Sequence, residues 1–364
     1  MPIPENMRLE EGAHLSVADR QQAQQEFLNP AGGHSNVVGF GLGVKWTDHQ
    51  PTGTQALLVF VTQKQPAALL TDQEILPRQT HDGTPIDVVT LGDVTAEGYR
   101  YDAVAGDDAR AGAPLAAPQA EPQTLRRRHR PAPAGASIGN VDVTAGTMGS
   151  VVYDFLPGAT VDPPAPGVGI PSRFYVLSNN HVLANSNAAP LGSAIVQPGR
   201  FDGGVDPQDR IAILTRFIPI QFAPAVALEN QQNLVDCAIG EVAFEDATRE
   251  TYFSGAPRGW RRRANVAVGD LVKKTGRTTN FTTGRIIAVD ATVDVNFGAL
   301  GVARFRDQIV TTNMSAGGDS GSLITSLDNV ALGLLFAGSS QSTIANHFEH
   351  VRARLRVEVA EQLL

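Results

Sequence analysis

The sequence predicts an all-β domain that follows a small α+β domain. Glycine (36 residues) and proline (23 residues) are frequent in this chain of 364, which indicates many turns. From Ser137 to about residue 344, short apolar segments alternate with clusters of turn residues, a pattern typical of a β-sandwich or a pair of β-barrels. A chain of this length is also long enough for two domains.

The second domain is predicted to span residues 137–364 and to end in a helix. Phe348, Val351 and Leu355 recur on one face of that helix, which packs on the preceding strands. The strands predicted before it are residues 149–155, 173–177, 193–197, 210–218, 234–242, 270–275, 284–293, 308–312, 322–325 and 331–336.

The α+β domain is assigned to residues 1–102. It is predicted to contain a helix over residues 14–28, strands over 36–46, 56–62 and 85–91, and a short helical piece near 66–76. Gly39, Gly41 and Gly43 alternate in the first of these strands. Because more strand follows them, they indicate close strand packing rather than a phosphate-binding loop.

A flexible linker is predicted between the two domains, over residues 103–136. It is rich in Ala, Pro and Gly and has no hydrophobic period. The cluster of Arg126, Arg127, Arg128 and Arg130 allows two main interpretations, and a third, nucleic-acid attachment, is disfavoured by the acidic net charge of the chain. It is either a solvated charge run that keeps the linker open, or a processing site, because an exposed basic cluster in a mobile segment is easily cleaved.

Composition excludes several classes of function. The net charge of −8 argues against a general nucleic-acid binder, and no apolar stretch is long enough to span a membrane. Cys237 is the only cysteine and the N-terminus shows no signal-peptide pattern, so a cytoplasmic protein is predicted. His347 and His350 could point the same way, but two ligands without a third are too few, and no metal is predicted.

A candidate nucleophile lies in residues 317–322, Gly-Gly-Asp-Ser-Gly-Ser. A serine hydroxyl needs a base to take its proton and amide donors to hold the oxyanion that forms. A turn of this composition presents Ser320 on a tight bend, where the N–H groups of Gly318 and Ser320 can converge on one point.

Two upstream segments supply a candidate base and acid. His181 follows an apolar strand at a polar bend, so one of its ring nitrogens can face a cleft. Asp236 is a single acid in the apolar run 234–239, and a buried carboxylate is costly unless it is paired. An imidazole N–H would serve as that partner and would leave the other nitrogen free. Asp206 and Asp209 are competing acids, but their loop setting indicates that they are solvated.

The order His181, Asp236, Ser320 resembles that of the trypsin-like serine peptidases, and the resemblance covers residues 137–346. A further block, Lys-Thr-Gly-Arg-Thr-Thr at residues 274–279, resembles a hairpin of the bacterial members of the α-lytic and glutamyl endopeptidase types. The resemblance implies a domain of two Greek-key β-barrels, one supplying His and Asp and the other supplying Ser.

The resemblance also implies the role of each residue. Ser320 would attack the acyl carbon, His181 would act as base and then acid, and Asp236 would orient His181. The N–H groups of Gly318 and Ser320 would form the oxyanion hole, and Asp319 would hold the shape of the loop. No metal or organic cofactor is implied.

The substrate pocket is assigned through the same resemblance. Met314 stands where trypsins carry the acid that binds Lys or Arg, so cleavage after a basic residue is not expected. Phe336, Ala337 and Gly338 are expected to supply the pocket wall and the edge strand along which a substrate backbone pairs. An apolar or small side chain would suit them.

The sequence therefore predicts a serine endopeptidase that acts on a protein or peptide substrate. The main rival is a protease-fold scaffold that binds partners without turnover, and a serine esterase is a weaker one. The front domain is either an inhibitory module, as in a zymogen released by an activating protease, or a docking or oligomerisation domain. The sequence does not decide whether the chain forms homo-oligomers.

Overall fold

Helices and strands form most of the part of the chain that the structure describes. The structure is a computed structural model that describes residues 5–9, 12–29, 34–47, 50–71, 74–96 and 124–360. Its helices are α1 (Val17–Phe27), α2 (Asn180–Leu183) and α3 (Phe348–Leu355). Its strands are β1 (Val37–Thr47), β2 (Gln50–Val61), β3 (Ile86–Thr90), β4 (Thr95–Ala96), β5 (Ala132–Ala134), β6 (Ser137–Asn140), β7 (Gly146–Thr147), β8 (Ser150–Asp154), β9 (Phe174–Ser178), β10 (Ala194–Val196), β11 (Arg210–Phe217), β12 (Ala238–Val242), β13 (Ala247–Thr251), β14 (Gly259–Trp260), β15 (Leu271–Gly276), β16 (Asn280–Asn296), β17 (Val302–Thr312), β18 (Leu323–Ser326), β19 (Val330–Gly338), β20 (Ser342–His347) and β21 (Val357–Glu358).

Six strands of the second half of the chain close into an antiparallel barrel. Their order is β15, β18, β19, β20, β17 and β16, and β15 pairs again with β16. β16 is 17 residues long. Its first half pairs with β15 and its second half pairs with β1, so the N-terminal strands attach to this barrel.

The N-terminal strands continue the sheet of the barrel. β1 runs antiparallel to β16, with Gly39 opposite Val293 and Gly43 opposite Ala288. β2 follows antiparallel to β1, and β3 lies parallel to β2. A Cβ atom at Gly43 would collide with Leu58 and with the Ile287 carbonyl oxygen. Close strand packing at the alternating glycines is therefore confirmed.

β2 buries both of its faces, and each face reaches a different part of the barrel core. Leu57 and Val59 join a cluster that contains residues of β16, β17 and β19. Leu58 and Phe60 join a second cluster that contains Phe336. Residues 37–90 thus share their hydrophobic cores with the barrel. The domain boundary near residue 102 stays a prediction, but the N-terminal strands pack as an extension of the barrel.

The first half of the second domain, together with the C-terminal strand β21, forms an eight-stranded antiparallel sheet. Its order is β21, β8, β9, β12, β11, β10, β6 and β7. β12 pairs with β9, and Ala238 lies opposite Ser178, which brings the segments before Ala238 and after Ser178 together. With the barrel, this sheet confirms that the predicted second domain is all-β.

The predicted strands differ from the observed ones mainly at their ends. β16 and β17 are longer than predicted, and β12 begins at Ala238, so that Asp236 precedes the strand instead of lying in it. The predicted helical piece near residues 66–76 is reduced to a 3-10 turn at Ala67–Leu69 in its described part. Within the described residues, no helix has the length and apolar character that a membrane crossing requires.

The last part of the predicted linker is packed against the eight-stranded sheet. Residues 103–123 lie outside the described residues, but β5 pairs with β13 in the part that follows. Arg130 Nη1 donates to Gln197 Oε1 (2.8 Å), and Arg128 Nε lies 3.1 Å from Asp209 Oδ1. The prediction of an extended, mobile linker is therefore wrong for residues 124–136. A processing site at this cluster stays a prediction, and cleavage there requires Arg130 to leave its partners first.

Candidate active site

His181 lies at the junction of β9 and the short helix α2. β9 ends at Ser178 and α2 begins at Asn180. Asn179 Nδ2 donates to the Asp236 carbonyl oxygen (2.7 Å), and Asn180 Nδ2 donates to the Ile218 carbonyl oxygen (2.8 Å). These two amides fix the turn that presents His181, whose side chain is only 1% exposed.

Asp236 accepts two hydrogen bonds from His181. Its Oδ2 lies 2.5 Å from His181 Nδ1, and its Oδ1 accepts from the His181 backbone N–H at 3.2 Å. The Asp236 backbone N–H donates to Asn346 Oδ1 (2.9 Å). Because an ionised carboxylate can only accept, Nδ1 carries the proton in this pair and Nε2 is left with its lone pair.

Ser320 lies in the loop before β18, and this loop is joined through Thr147 to the end of β9, the strand that precedes His181. The Ser320 carbonyl oxygen accepts from Thr147 N–H (2.8 Å), and the Thr147 carbonyl oxygen accepts from Ser178 Oγ (2.8 Å). Ser320 Oγ donates weakly to the Phe336 carbonyl oxygen, at 3.5 Å, and His181 Nε2 has no hydrogen-bond partner among the described residues. Ser320 Oγ and His181 Nε2 are therefore not hydrogen-bonded to each other in this structure.

The loop before Ser320 leaves two backbone N–H groups open. Gly318 has φ +95°, a conformation that glycine adopts without strain. Its carbonyl oxygen accepts from Thr147 Oγ1 (2.9 Å), and the Gly317 carbonyl oxygen accepts from Thr278 Oγ1 (2.7 Å). The carbonyl groups are thus occupied, whereas the N–H groups of Gly318 and Ser320 donate to no other residue that the structure describes. Such a pair suits an oxyanion.

Asp319 is buried beneath this loop and is fully bonded. It accepts from the backbone N–H groups of Ala316 (3.1 Å), Thr278 (2.9 Å) and Thr279 (3.2 Å). Lys274 Nζ lies 3.3 Å from its carboxylate, and neither side chain is exposed. The sequence predicted that Asp319 holds the loop, but it did not predict Lys274 as the partner. A lysine inside a strand of the barrel was the available signal, because a buried ammonium needs a counter-charge.

Arg277 lies in the turn between β15 and β16 and connects that turn to Asp202, which follows β10 of the eight-stranded sheet. Its guanidinium binds Asp202 with two hydrogen bonds, Nε to Oδ2 (2.8 Å) and Nη2 to Oδ1 (2.6 Å), and it lies over the Phe201 ring. Both charged side chains are almost fully buried. This bidentate pair holds the hairpin beside Gly318 across the boundary of the two sheets. No role was predicted for Asp202 from the sequence.

The predicted pocket residues are mostly buried. Met314 lies in a core cluster of the barrel, and the Phe336 ring packs on Phe305 with centroids 4.5 Å apart. The backbone of Phe336, rather than its ring, therefore faces Ser320. Ala337 is buried, and Gly338 ends β19. Their role in substrate binding stays a prediction.

A second polar cluster contains His347, His350, Asp307, Arg263 and Asp290. His350 Nε2 donates to Asp307 Oδ2 (2.7 Å), His347 Nε2 lies 3.9 Å from Asp307 Oδ1, and Arg263 lies 3.8 Å from Asp290. Burial lowers the pKa of His347 to about 4. Burial, with the neighbouring Asp307 carboxylate, raises the pKa of Asp290 to about 6. Within the described residues, no three potential ligands are placed to hold a metal ion.

Asp290→Asn is expected to change how stability depends on pH. In the wild type, the folded state keeps the Asp290 proton up to about pH 6, whereas the unfolded chain releases it near pH 4. Asp290 thus stabilises the fold at low pH, and that contribution is lost as pH rises from 4 to 6. Between pH 4 and pH 7, we expect the wild type to lose about 2–3 kcal/mol relative to Asp290→Asn.

Urea denaturation of both forms at several pH values measures this difference. The contribution of His347 is present in both proteins and largely cancels. Asp142→Asn, at an exposed aspartate, is the matched control and should follow the wild type at every pH. Parallel curves for the wild type and Asp290→Asn would contradict the expectation.

Comparisons with known proteins give two related sequences and several similar structures. No family model matches the chain. Serine protease 1 of Streptomyces fradiae is 37% identical over 99 residues, which are 27% of this chain and 26% of that protein. Glutamyl endopeptidase 2 of Streptomyces griseus is 35% identical over 98 residues, which are 27% of this chain and 49% of that protein. The chain thus spans about a quarter and about half of the length of these relatives.

Among solved structures, Thermobifida fusca Protease A aligns with 63% of this chain and 97% of its own, with 14% identity and a TM-score of 0.42. A serine protease specific for glutamic acid aligns with 62% of this chain and 98% of its own, with 21% identity and a TM-score of 0.40. The two sequence matches relate about a quarter of this chain to serine proteases, in agreement with the resemblance that the motifs indicate.

Proposed function

We propose that the chain is a serine endopeptidase whose catalytic residues are Ser320, His181 and Asp236. One observation carries the proposal. His181 is tied through Nδ1 to a buried carboxylate, and its Nε2 has no partner among the described residues. Acyl transfer needs a nucleophile, a base with a free nitrogen and donors for the oxyanion. Ser320, His181 in this tautomer and the two open N–H groups of the serine loop supply them.

The reaction follows from these positions. Ser320 Oγ attacks the carbonyl carbon of the substrate and its proton passes to His181 Nε2, while Asp236 stabilises the imidazolium that forms. The oxyanion is held by the N–H groups of Gly318 and Ser320. His181 then gives the proton to the leaving amine, which departs as the C–N bond breaks. Water, activated by the same histidine, hydrolyses the acyl-enzyme and regenerates Ser320.

We further propose that the site forms without cleavage of the chain. The buried Lys274 ammonium lies beside Asp319, so the aspartate already has an internal cation. A new N-terminal amine is then not needed to organise the loop. This proposal differs from the zymogen idea, in which cleavage near Arg126–Arg130 activates the enzyme.

The proposed substrate is a peptide or an unfolded protein segment, and the proposed setting is the cytoplasm. Cys237 is fully buried, and burial raises the pKa of its thiol well above the ordinary value. Its thiol is therefore neither a disulfide partner on the surface nor a second nucleophile.

Labelling with a small alkyl fluorophosphonate tests the proposed nucleophile. We expect intact-mass analysis to show one added phosphonyl group on the wild-type chain and none on Ser320→Ala, because only an activated serine reacts. Ser322→Ala is the matched control, since Ser322 lies in the same loop and bonds the Asp319 carbonyl oxygen. It should keep the label. An unlabelled wild type would favour the rival scaffold function.

A further inference from the structure

A two-residue strand of the N-terminal part lies on the edge of β19 beside Ser320. β4 pairs antiparallel with β19, with Thr95 opposite Gly338 and Ala96 opposite Ala337. On its other side β4 is parallel to the end of β16, with Thr95 opposite Asn296. β4 therefore fills the gap between the β16–β17 hairpin and β19.

The loop that carries the nucleophile pairs with the same edge of β19. Gly321 N–H donates to the Leu335 carbonyl oxygen (2.8 Å), and Leu335 N–H donates to the Ser322 carbonyl oxygen (3.0 Å). Ser320 Oγ is 3.5 Å from the Phe336 carbonyl oxygen. The opposite edge of β19 is occupied by β20. Along the edge that faces Ser320, the nucleophile loop thus comes first and β4 follows directly.

The segment that leads to β4 is anchored in the fold. Leu91 is fully buried, and its carbonyl oxygen accepts from the hydroxyl groups of Ser339 and Ser342. Val94 is buried in the same cluster as Phe336, and its carbonyl oxygen accepts from Asn296 N–H (3.0 Å). The position of β4 is therefore set by several independent contacts.

We propose that β4 occupies the place where a peptide substrate pairs its backbone, so that the chain's own segment fills the substrate cleft. This inference rests on the proposed function. Peptides commonly bind by adding a strand to an exposed sheet edge. The direction of β4 also fits, because from Thr95 to Ala96 it runs from Gly338 toward Phe336 and Ser320. The acyl part of a substrate has to approach the nucleophile in that direction.

The expected consequence is competition between β4 and the substrate. Only two residues of β4 pair with β19, whereas the strands before it are held by two hydrophobic cores. β4 can therefore leave the edge without unfolding of the barrel. The apparent affinity for a peptide is then reduced by the fraction of molecules in which the edge is open.

Thr95→Pro and Thr95→Ala form a matched pair that tests the proposal in the full chain. Proline removes the backbone N–H of residue 95 and disfavours pairing, whereas alanine keeps that N–H and removes only the side chain. With fluorescein-labelled unfolded casein, we expect Thr95→Pro to cleave about tenfold faster than Thr95→Ala at low substrate concentration. The gain should appear in KM and not in kcat, and both variants should label with fluorophosphonate at similar rates.

Asn296→Pro gives a second, independent disruption. It removes the N–H that the Val94 carbonyl oxygen accepts, on the other side of β4, and Asn296→Ala is its control. A readout without catalysis uses the Ser320→Ala background. There, a fluorescein-labelled peptide with the sequence of residues 92–96 should bind at least about tenfold more tightly when Thr95→Pro is added than when Thr95→Ala is added.

The outcomes separate this proposal from the proposed function. If Ser320 labels but Thr95→Pro and Asn296→Pro cleave casein no faster than their controls, β4 is not the occupant of the cleft and the proposal is overturned. If Ser320 does not label, the proposed function fails, and the peptide-binding readout still decides whether β4 covers a peptide site. Equal binding to both Thr95 variants would overturn the occupancy as well.

Discussion

Asp236→Asn is expected to lower the rate constant for fluorophosphonate labelling of Ser320 by about 10⁴-fold. The asparagine keeps the shape of the aspartate but can present an N–H to His181 Nδ1. The imidazole would then carry its proton on Nε2, the atom that has to accept the Ser320 proton. Because the second-order labelling rate needs no knowledge of the natural substrate, it measures this effect directly.

Asp209→Asn and Asp206→Asn are the controls for this experiment. Both acids were candidates for the third catalytic position in the sequence. Asp209 binds Arg128 and the Val205 N–H, and Asp206 binds Arg210. Their variants should label at the wild-type rate. A large loss in either, with little change in Asp236→Asn, would sink the assignment of Asp236.

Lys274→Met is expected to destabilise the fold by about 3 kcal/mol and to slow labelling of Ser320. Methionine fills much of the same volume but leaves the Asp319 carboxylate buried without its cation. The carboxylate keeps its backbone donors, including Ala316 and Thr278, yet these do not balance its charge. The loop that holds the open N–H groups should therefore become less ordered. Urea denaturation measures the loss of stability, and the labelling rate reports on the loop.

Lys273→Met is the matched control, one residue away on the same strand. Lys273 Nζ donates to the Leu327 carbonyl oxygen (2.9 Å) and does not contact Asp319. Lys273→Met should lower the free energy of unfolding by about 1 kcal/mol and leave the labelling rate of Ser320 unchanged. If the two variants behave alike, the Lys274–Asp319 pair does not organise the site, and a cleaved N-terminus would again be a candidate for that cation.

The sequence points to the proposed catalytic residues, but it does not reveal the residue pairs that support them. His181, Asp236 and Ser320 lie in short, recognisable contexts, since each chemical role restricts the neighbouring residues. The Lys274–Asp319 and Arg277–Asp202 pairs join residues that are far apart in the chain, and their pairing depends on the closed barrel. Only the structure shows that these charges are buried, and a buried charge has to be paired.

In the N-terminal part, the elements themselves can be predicted from the sequence, but their place in the fold cannot. Its helix and strands are predicted well because their periodicity is local, whereas their attachment to β16 is not visible in any local pattern. The strand predicted over residues 284–293 includes the residues of β16 that pair with β1, but no local pattern identified β1 as their partner. The short strand β4 was not predicted at all, because two residues carry no alternation and their pairing is decided by the edge of β19.

The shared sheet has a consequence for any cut in the segment between Ala96 and Thr124. The two products would stay together as a noncovalent pair, because β1 remains hydrogen-bonded to β16 and β2 remains buried in both clusters. A nicked sample would then migrate as one particle under native conditions and as two bands in denaturant. A break in the covalent chain in this segment would therefore not release the N-terminal part from the barrel.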